Sequence, residues 1–339
     1  MSIPVHDPFN AIQDEQLPSL RIALDPEIAR HEFKRRLSRL SGNGKLRLHA
    51  VRVTRHKPGR RCVVEYDLEV DRPDIPKQMV TLIGKTRARR SGNEGFRMQE
   101  SLWNAGFDAT TADGVSVPEP IGVISDLQMW FQRKVPGTPA EALLRGPAGP
   151  AVARRVAEAI HKVHRARIPA AKQHTMEDEL WILRDCLSQV AALRPDWVLR
   201  LQRVLRGCER LAASTPSPVP CGIHRDFYSS QIIVDGTRLW LLDFDLYCAG
   251  DQGLDVGNFI AHITEQSLRE FGDSHTLIEV ERALEERFLE LGGSAARHAV
   301  HTYTVLTLAR HIFLSTKFPE RNHLTHALLS LCEERLETR

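Results

Sequence analysis

Two short segments hold the side chains best suited to chemistry: His224-Arg225-Asp226-Phe227-Tyr228-Ser229-Ser230-Gln231 and Asp243-Phe244-Asp245. Between them lie two β-like runs, residues 232–234 and 239–242, on either side of Asp235-Gly236, a dipeptide suited to a tight hairpin turn. Such a hairpin folds the chain back and is expected to bring Asp226, Gln231 and Asp243 to one end of a small ribbon. Two carboxylates and a side-chain amide held together suit a hard, oxygen-seeking cation such as Mg²⁺. Phosphoryl transfer needs this equipment: a group that accepts or orients the attacking hydroxyl, and metal ligands that bridge phosphates.

Those residues need elements to hold them. Residues 49–54 and 62–70 are β-rich runs joined by Arg55-His56-Lys57-Pro58-Gly59-Arg60-Arg61, which reads as a hairpin loop. A third strand is expected over residues 78–86, with Lys85 near its end, and a helix over 92–105 stopped by Gly106. Two more strands are expected around 121–124 and 128–135. Strands interrupted by a single helix predict a small antiparallel sheet rather than a doubly wound one. After Pro136-Gly137 the pattern turns helical, with Val152, Val156, Ala159, Ile160 and Val163 at helical spacing inside residues 151–166. Helical patterns continue over 176–213, stop at Pro216, Pro218 and Pro220, and return over 265–291 and 295–336. The first 45 residues read as a polar, partly helical extension with a helix over 27–40. The expected organisation is this extension (1–45), a small β-rich lobe (46–135) and a helical lobe (136–339) carrying the catalytic loop 221–258.

The order H-R-D-x-x-x-x-Q then D-F-D resembles the kinase-fold catalytic loop, H-x-D-x-x-x-x-N followed by D-F/W-x. With Gly250-Asp251 and Asp255 it resembles the aminoglycoside phosphotransferase and choline kinase-like family, whose pattern is H-G-D-x-H-x-x-N, then I-D-F/W, then G-D-x-x-x-D. Val163-His164, Val117-Pro118, Lys57-Pro58-Gly59-Arg60-Arg61, Lys85 and Val135-Pro136-Gly137 extend the likeness over roughly residues 45–310. The resemblance implies a bilobal, protein-kinase-like α+β fold: a small antiparallel β-sheet lobe that binds nucleotide, and a larger, mainly helical lobe. It implies an ATP-dependent kinase that moves the γ-phosphoryl group to a small-molecule hydroxyl, with Mg²⁺ as cofactor. Asp226 would accept or orient the hydroxyl proton, with Asp243 and Gln231 as metal ligands and His224 as a brace. Lys85 would pair with the α- and β-phosphates, positioned by Glu100 or Glu94; Glu100, deeper in the helix, is preferred. Backbone groups of Gln132-Arg133-Lys134-Val135 would meet adenine, with Arg133 and Val135 as the candidates. Asp251 and Asp255 would tie the catalytic loop to the next helix.

The sequence departs from the family at Gln231, where the pattern has Asn, and in the loop 55–61, which lacks G-x-G-x-x-G. Gln offers the same carbonyl oxygen on a chain one methylene longer; the alternative reading is a catalytically impaired pseudokinase that binds a nucleotide or a partner. The basic loop residues Arg55, Lys57, Arg60 and Arg61 either meet phosphates or solvate a turn. Asp245 either joins the metal or caps the following turn. His161 and His164 lack a third ligand nearby in sequence and read as packed or hydrogen-bonded helix histidines. The acids between 265 and 290, interrupted by Arg269, Arg282 and Arg287, read first as a solvated mixed-charge face. A protein kinase is disfavoured, because A-P-E and D-F-G are missing.

Composition excludes other classes. Forty-six basic against 43 acidic residues leave a net charge of +3, too weak for a nucleic-acid face. Six scattered cysteines without a C-x-x-C pair fit reduced thiols. No basic and apolar leader opens the chain and no apolar run reaches the ~18 residues of a span. A soluble, cytoplasmic enzyme acting on a small-molecule acceptor is therefore expected, with no nucleic-acid or membrane partner.

Overall fold

Period-two alternation builds the sheet. In the strand Arg61–Arg72 the even-numbered residues Cys62, Val64, Tyr66, Leu68 and Val70 are buried, and the odd-numbered Glu65, Asp67 and Glu69 occupy the other face. The computed structural model describes residues 3–37, 40, 42, 44–73, 75–88 and 93–337. Arg89 and Arg90, which with Lys85 and Arg87 form a second basic cluster in the sequence, and Gly92 at the expected helix start, lie outside the described residues. The chain divides into two compact units, Met1–Pro136 and Gly137–Arg339.

In the first unit six strands run in the order Val5–His6, Lys45–Lys57, Arg61–Arg72, Ile75–Arg87, Met129–Arg133, Pro120–Ile124. All pairs are antiparallel except the edge pair, where Val5 and His6 run parallel to Val51 and Arg52. That two-residue edge strand is too short for alternation to announce. The hairpin strands extend several residues beyond the expected runs because cross-strand pairing continues to Lys57↔Arg61.

The helix Pro26–Arg36 starts on Asp25, whose carboxylate accepts the N–H groups of Glu27 and Ile28. It ends at Arg36, because Leu37, at ψ 51°, leaves the helical region; positions 38 and 39 of the expected helix lie outside the described residues. Its Phe33 packs edge-on against Tyr66 at 4.9 Å and Phe131 at 5.3 Å, and the Tyr66 hydroxyl donates to the Ala23 carbonyl at 2.9 Å. Leu17, Leu20, Leu24 and Ala29 join the same core, so the N-terminal segment covers one face of the sheet. Carboxylates on the opposite face pair with basic residues, Asp67 with Arg52 at 2.9 Å and Glu65 with Lys134 at 2.8 Å.

The second unit is mainly helical. Its long helices are Gly149–Arg165, Met176–Leu193, Val198–Ser214, Gln252–Phe271, Ile278–Gly292, Arg297–Lys317 and Thr325–Glu337. Gly257 lets Gln252–Phe271 lie close on Arg297–Lys317: a Cβ there would meet Tyr303 Cβ and Val300 O at 2.7 Å. The expected hairpin is Ile232–Asp235 with Arg238–Leu241, turning on Gly236 at φ 56° and Thr237. Cys221–Ile223 pairs antiparallel with Cys248–Gly250, so the segments before and after the hairpin are held side by side. All six cysteines are free. Among the described residues no helix is long and apolar enough to cross a membrane.

Candidate active site

The segment His224–Gln231 hangs from one face of one helix. Asp251 caps that helix by accepting the Gly253 N–H at 2.8 Å. Asp255, Asn258 and His262 follow at i, i+3 and i+7, a spacing that aligns them on one side. The Asp255 carboxylate, fully buried, accepts the N–H groups of His224 at 2.9 Å and Arg225 at 2.7 Å, and meets His164 Nε2 at 2.9 Å. Asn258 donates from Nδ2 to the Phe227 carbonyl at 2.8 Å, and the His262 ring stacks on Tyr228 with centroids 4.6 Å apart. Arg310 supports the face from behind, donating to Asn258 Oδ1 at 2.9 Å and pairing with Glu179 at 3.3 Å.

This grip holds an unusual backbone. Arg225 has φ 70°, left-handed for a residue with a side chain, at the position where the family pattern carries Gly. A left-handed non-glycine residue costs on the order of 1–2 kcal/mol and persists only when its surroundings hold it; the two hydrogen bonds to Asp255 do so. His224 is buried, and its Nε2 donates to the Leu242 carbonyl at 2.8 Å because a carbonyl can only accept. Its proton is therefore committed to a structural bond, and its ring packs on Phe244 at 4.6 Å. Asp226 follows, half-buried, and among the described residues its carboxylate makes no hydrogen bond or ion pair.

Gln231 and Asp243 flank the open end of the hairpin, where the Leu242 N–H donates to the Gln231 carbonyl at 2.9 Å. Gln231 is buried and its Nε2 donates to the Tyr228 hydroxyl at 3.2 Å, which turns Oε1 away from that bond. Asp243 adopts φ 61° at the start of the turn Phe244–Leu246, and no side-chain hydrogen bond from it caps that turn; Asp245 lies within it. The donor set is an amide oxygen and a carboxylate. It fits Mg²⁺, which dehydrates reluctantly and takes one or two protein oxygens alongside waters and phosphates. Among the described residues no group of three or more His, Cys, Asp or Glu is placed to form a metal cage.

In the sheet unit Lys85 lies between Val63 and Trp130, on the face away from Phe33, with its ammonium 4.6 Å from the Trp130 ring centroid. Phe96, on the helix Asn93–Leu102, approaches the same ring at 6.5 Å. Glu100, one turn on at i+4, shares the face of Phe96, whereas Glu94 is exposed and points elsewhere by helical spacing. Beyond the helix a π-helical turn, Trp103–Phe107, breaks at Ala105 and at Gly106 with φ 88°. The Arg133 N–H is committed to Glu119 O at 2.9 Å and the Lys134 N–H to Thr81 O at 2.8 Å. The Val135 N–H makes no backbone hydrogen bond among the described residues.

The loop between Lys57 and Arg61 holds a residue the sequence did not mark. Asp14 accepts the Gly59 N–H at 2.8 Å and pairs with His56 at 2.8 Å, both side chains being only 6% exposed. One N–H that a phosphate could have used is therefore already taken. Burial pushes the Asp14 carboxyl up, but the Gly59 N–H and His56 outweigh it and hold it below its ordinary value.

Asn258, His262 and Arg310 were likewise not marked; the signal available was the spacing that repeats from Asp255. The histidine pair resolves as packing: His164 serves Asp255, and burial lowers the pKa of His161. The acidic stretch resolves largely into ion pairs, among them Glu270–Arg145, Glu279–Arg282 and Glu290–Arg154.

No curated protein matches the sequence. Solved structures do match in fold. A choline/ethanolamine kinase family protein from Mesorhizobium loti superposes with a TM-score of 0.55 at 17% identity, covering 95% of this chain and 94% of that one. A thermostable aminoglycoside phosphotransferase mutant, in ternary complex with ADP and hygromycin B, gives 0.55 at 16% identity over 85% and 94% of the two chains. An ethanolamine kinase from Plasmodium vivax gives 0.50 at 12% identity over 85% and 81%. These likenesses carry the fold, a protein-kinase-like α+β arrangement with a β-sheet lobe and a helical lobe. The model of the phosphotransferase enzyme family matches residues 97–284, more than half of the sequence, including the whole catalytic segment. The chain belongs to the phosphotransferase enzyme family.

Proposed function

We propose that this phosphotransferase moves the γ-phosphoryl group of ATP to a hydroxyl of a small molecule. The observation that supports this most is the held catalytic segment. Among the described residues the Asp226 carboxylate has no hydrogen-bond or ion-pair partner, and it sits on a loop gripped at residues 224, 225, 227 and 228. A carboxylate so fixed can accept or orient the proton of an incoming hydroxyl. In the step itself, the hydroxyl oxygen forms a bond to γ-phosphorus and the bond from γ-phosphorus to the bridging oxygen breaks. The hydroxyl proton passes to Asp226, and ADP leaves with the electrons of the broken bond.

The remaining assignments belong to the same proposal. Gln231 and Asp243 would hold Mg²⁺, which when bound supplies charge neutralisation at the phosphates. Lys85 would meet the α- and β-phosphates, with Glu100 favoured over Glu94 as its partner because it shares the Phe96 face. The Val135 N–H would meet adenine. Arg133, whose own N–H is engaged, would offer its carbonyl. His224 would brace. Catalysis would come from positioning and charge, with little covalent work for the protein.

The test is a screen of hydroxyl compounds for ATP consumption, with Asp226→Asn as the blank. An acceptor consumed by the native protein and not by the blank is the expected outcome. Nucleotide binding with no transfer to alcohols, amino-alcohols, sugars or aminoglycosides would instead support the pseudokinase reading.

A further inference from the structure

Gln231 is longer by one methylene than the Asn of the family pattern, and has one more rotatable bond to restrain. An unrestrained Gln loses side-chain entropy when it is fixed onto a ligand. The structure contains a device that removes this freedom beforehand. The main chain of Gln231 is held on both sides, its N–H donating to Tyr228 O at 2.9 Å and its carbonyl accepting from Leu242 at 2.9 Å. Its amide nitrogen donates to the Tyr228 hydroxyl at 3.2 Å.

The phenol is itself fixed. Its ring lies at 17° on the His262 ring with centroids 4.6 Å apart, and His262 in turn meets His311 edge-on at 4.6 Å. His311 is buried and His262 is partly buried. Burial, with Arg310, Arg321 and Arg269 nearby, pushes the His262 pKa down to about 3, so a neutral ring backs the tyrosine at working pH. Tyr228 stands at the position of the second His in the family pattern, three residues before Gln231. Tyr228 and Gln231, each departing from that pattern, are therefore hydrogen-bonded to each other.

We propose that Tyr228 is the positioning residue for Gln231, its hydroxyl holding the amide nitrogen so that Oε1 is presented to a divalent cation. This inference rests on the proposed assignment of Gln231 as a metal ligand. An amide freed from the phenol can rotate and present NH₂, which no cation accepts. Partners that orient a metal ligand from behind commonly change metal affinity by about 10- to 100-fold when removed. A single bond at 3.2 Å belongs at the lower end.

The test is an electron paramagnetic resonance titration of Mn²⁺ into the full chain saturated with ADP, with ADP binding measured separately without metal. Tyr228→Phe keeps the stacked ring and is expected to weaken Mn²⁺ about tenfold while leaving metal-free ADP binding unchanged. In a Gln231→Asn background, where the shorter amide does not depend on the phenol, Tyr228→Phe is expected to change Mn²⁺ affinity less than about twofold. Two results would overturn the inference while leaving the metal assignment standing: no effect in the native background, or an equal loss in both backgrounds. If the native protein with ADP binds no Mn²⁺, the metal assignment and the inference fall together.

Discussion

Two loops in this molecule are each pinned by a carboxylate, and they are pinned differently. In the helical unit, Asp255 holds two successive backbone N–H groups and a histidine, and the same helix adds Asn258 and His262 along its face. In the sheet unit, Asp14 reaches Gly59 and His56 from the N-terminal segment. The first arrangement fixes four residues of one loop from a single rigid element. The second ties a hairpin tip through one carboxylate, beside a backbone bond from the Ala88 N–H to the Arg60 carbonyl at 3.0 Å. Anchoring at four residues from one helix suits a segment that must present a carboxylate at a set position, whereas a hairpin tip tied through one carboxylate depends on fewer side chains of its neighbours.

The largest effect should come from the Asp255 side. Asp255→Ala strands the N–H groups of buried His224 and part-buried Arg225, together with buried His164, and should cost about 3–5 kcal/mol in urea unfolding. A loss no larger than that for Asp14→Ala would break the comparison.

Glu281 sharpens it, because it is a carboxylate buried to 6% exposure whose donor among the described residues is the Thr264 hydroxyl at 2.6 Å. Burial pushes its pKa up to about 7, with Thr264, Arg335 and His275 opposing only in part. The folded state thus keeps a proton that the unfolded chain releases near its ordinary value. Stability should fall as pH rises from about 4.5 through 7. Glu281→Gln keeps an acceptor for Thr264 and should abolish that slope. At pH 8 it should be more stable than the parent by an amount on the order of 2–3 kcal/mol.

The Asp14 tie should matter least to stability. Asp14→Ala should cost about 1–2 kcal/mol near neutral pH. Because the folded pKa of Asp14 is depressed, its contribution is present above the ordinary carboxylate range and is lost as pH falls through the folded value. The urea midpoints of parent and variant should therefore converge in acid.

What could be read from the sequence was local. Asp235-Gly236 between apolar runs announced the hairpin, and Asp251 with Asp255 announced the tie to the next helix. The helix itself begins at Gln252, earlier than the helical pattern expected from 265, because Asp251 caps it. What could not be read needed a partner distant in sequence or a face not yet known. Asp14 lies 45 residues from Gly59. Asn258 and His262 gain meaning only once Asp255 shows which side of the helix meets the loop. The Tyr228–Gln231 bond spans three residues, yet it depends on the 3-10 turn Ser229–Gln231 that brings the two side chains together.

The central claim is that Asp226 orients the acceptor hydroxyl on a prebuilt loop. Its most direct test compares phosphoryl transfer and nucleotide-induced thermal stabilisation in the native protein and in Asp226→Asn. Transfer should fall by about a hundred- to ten-thousandfold while stabilisation by ATP and Mg²⁺ is kept. Full transfer by Asp226→Asn would contradict it.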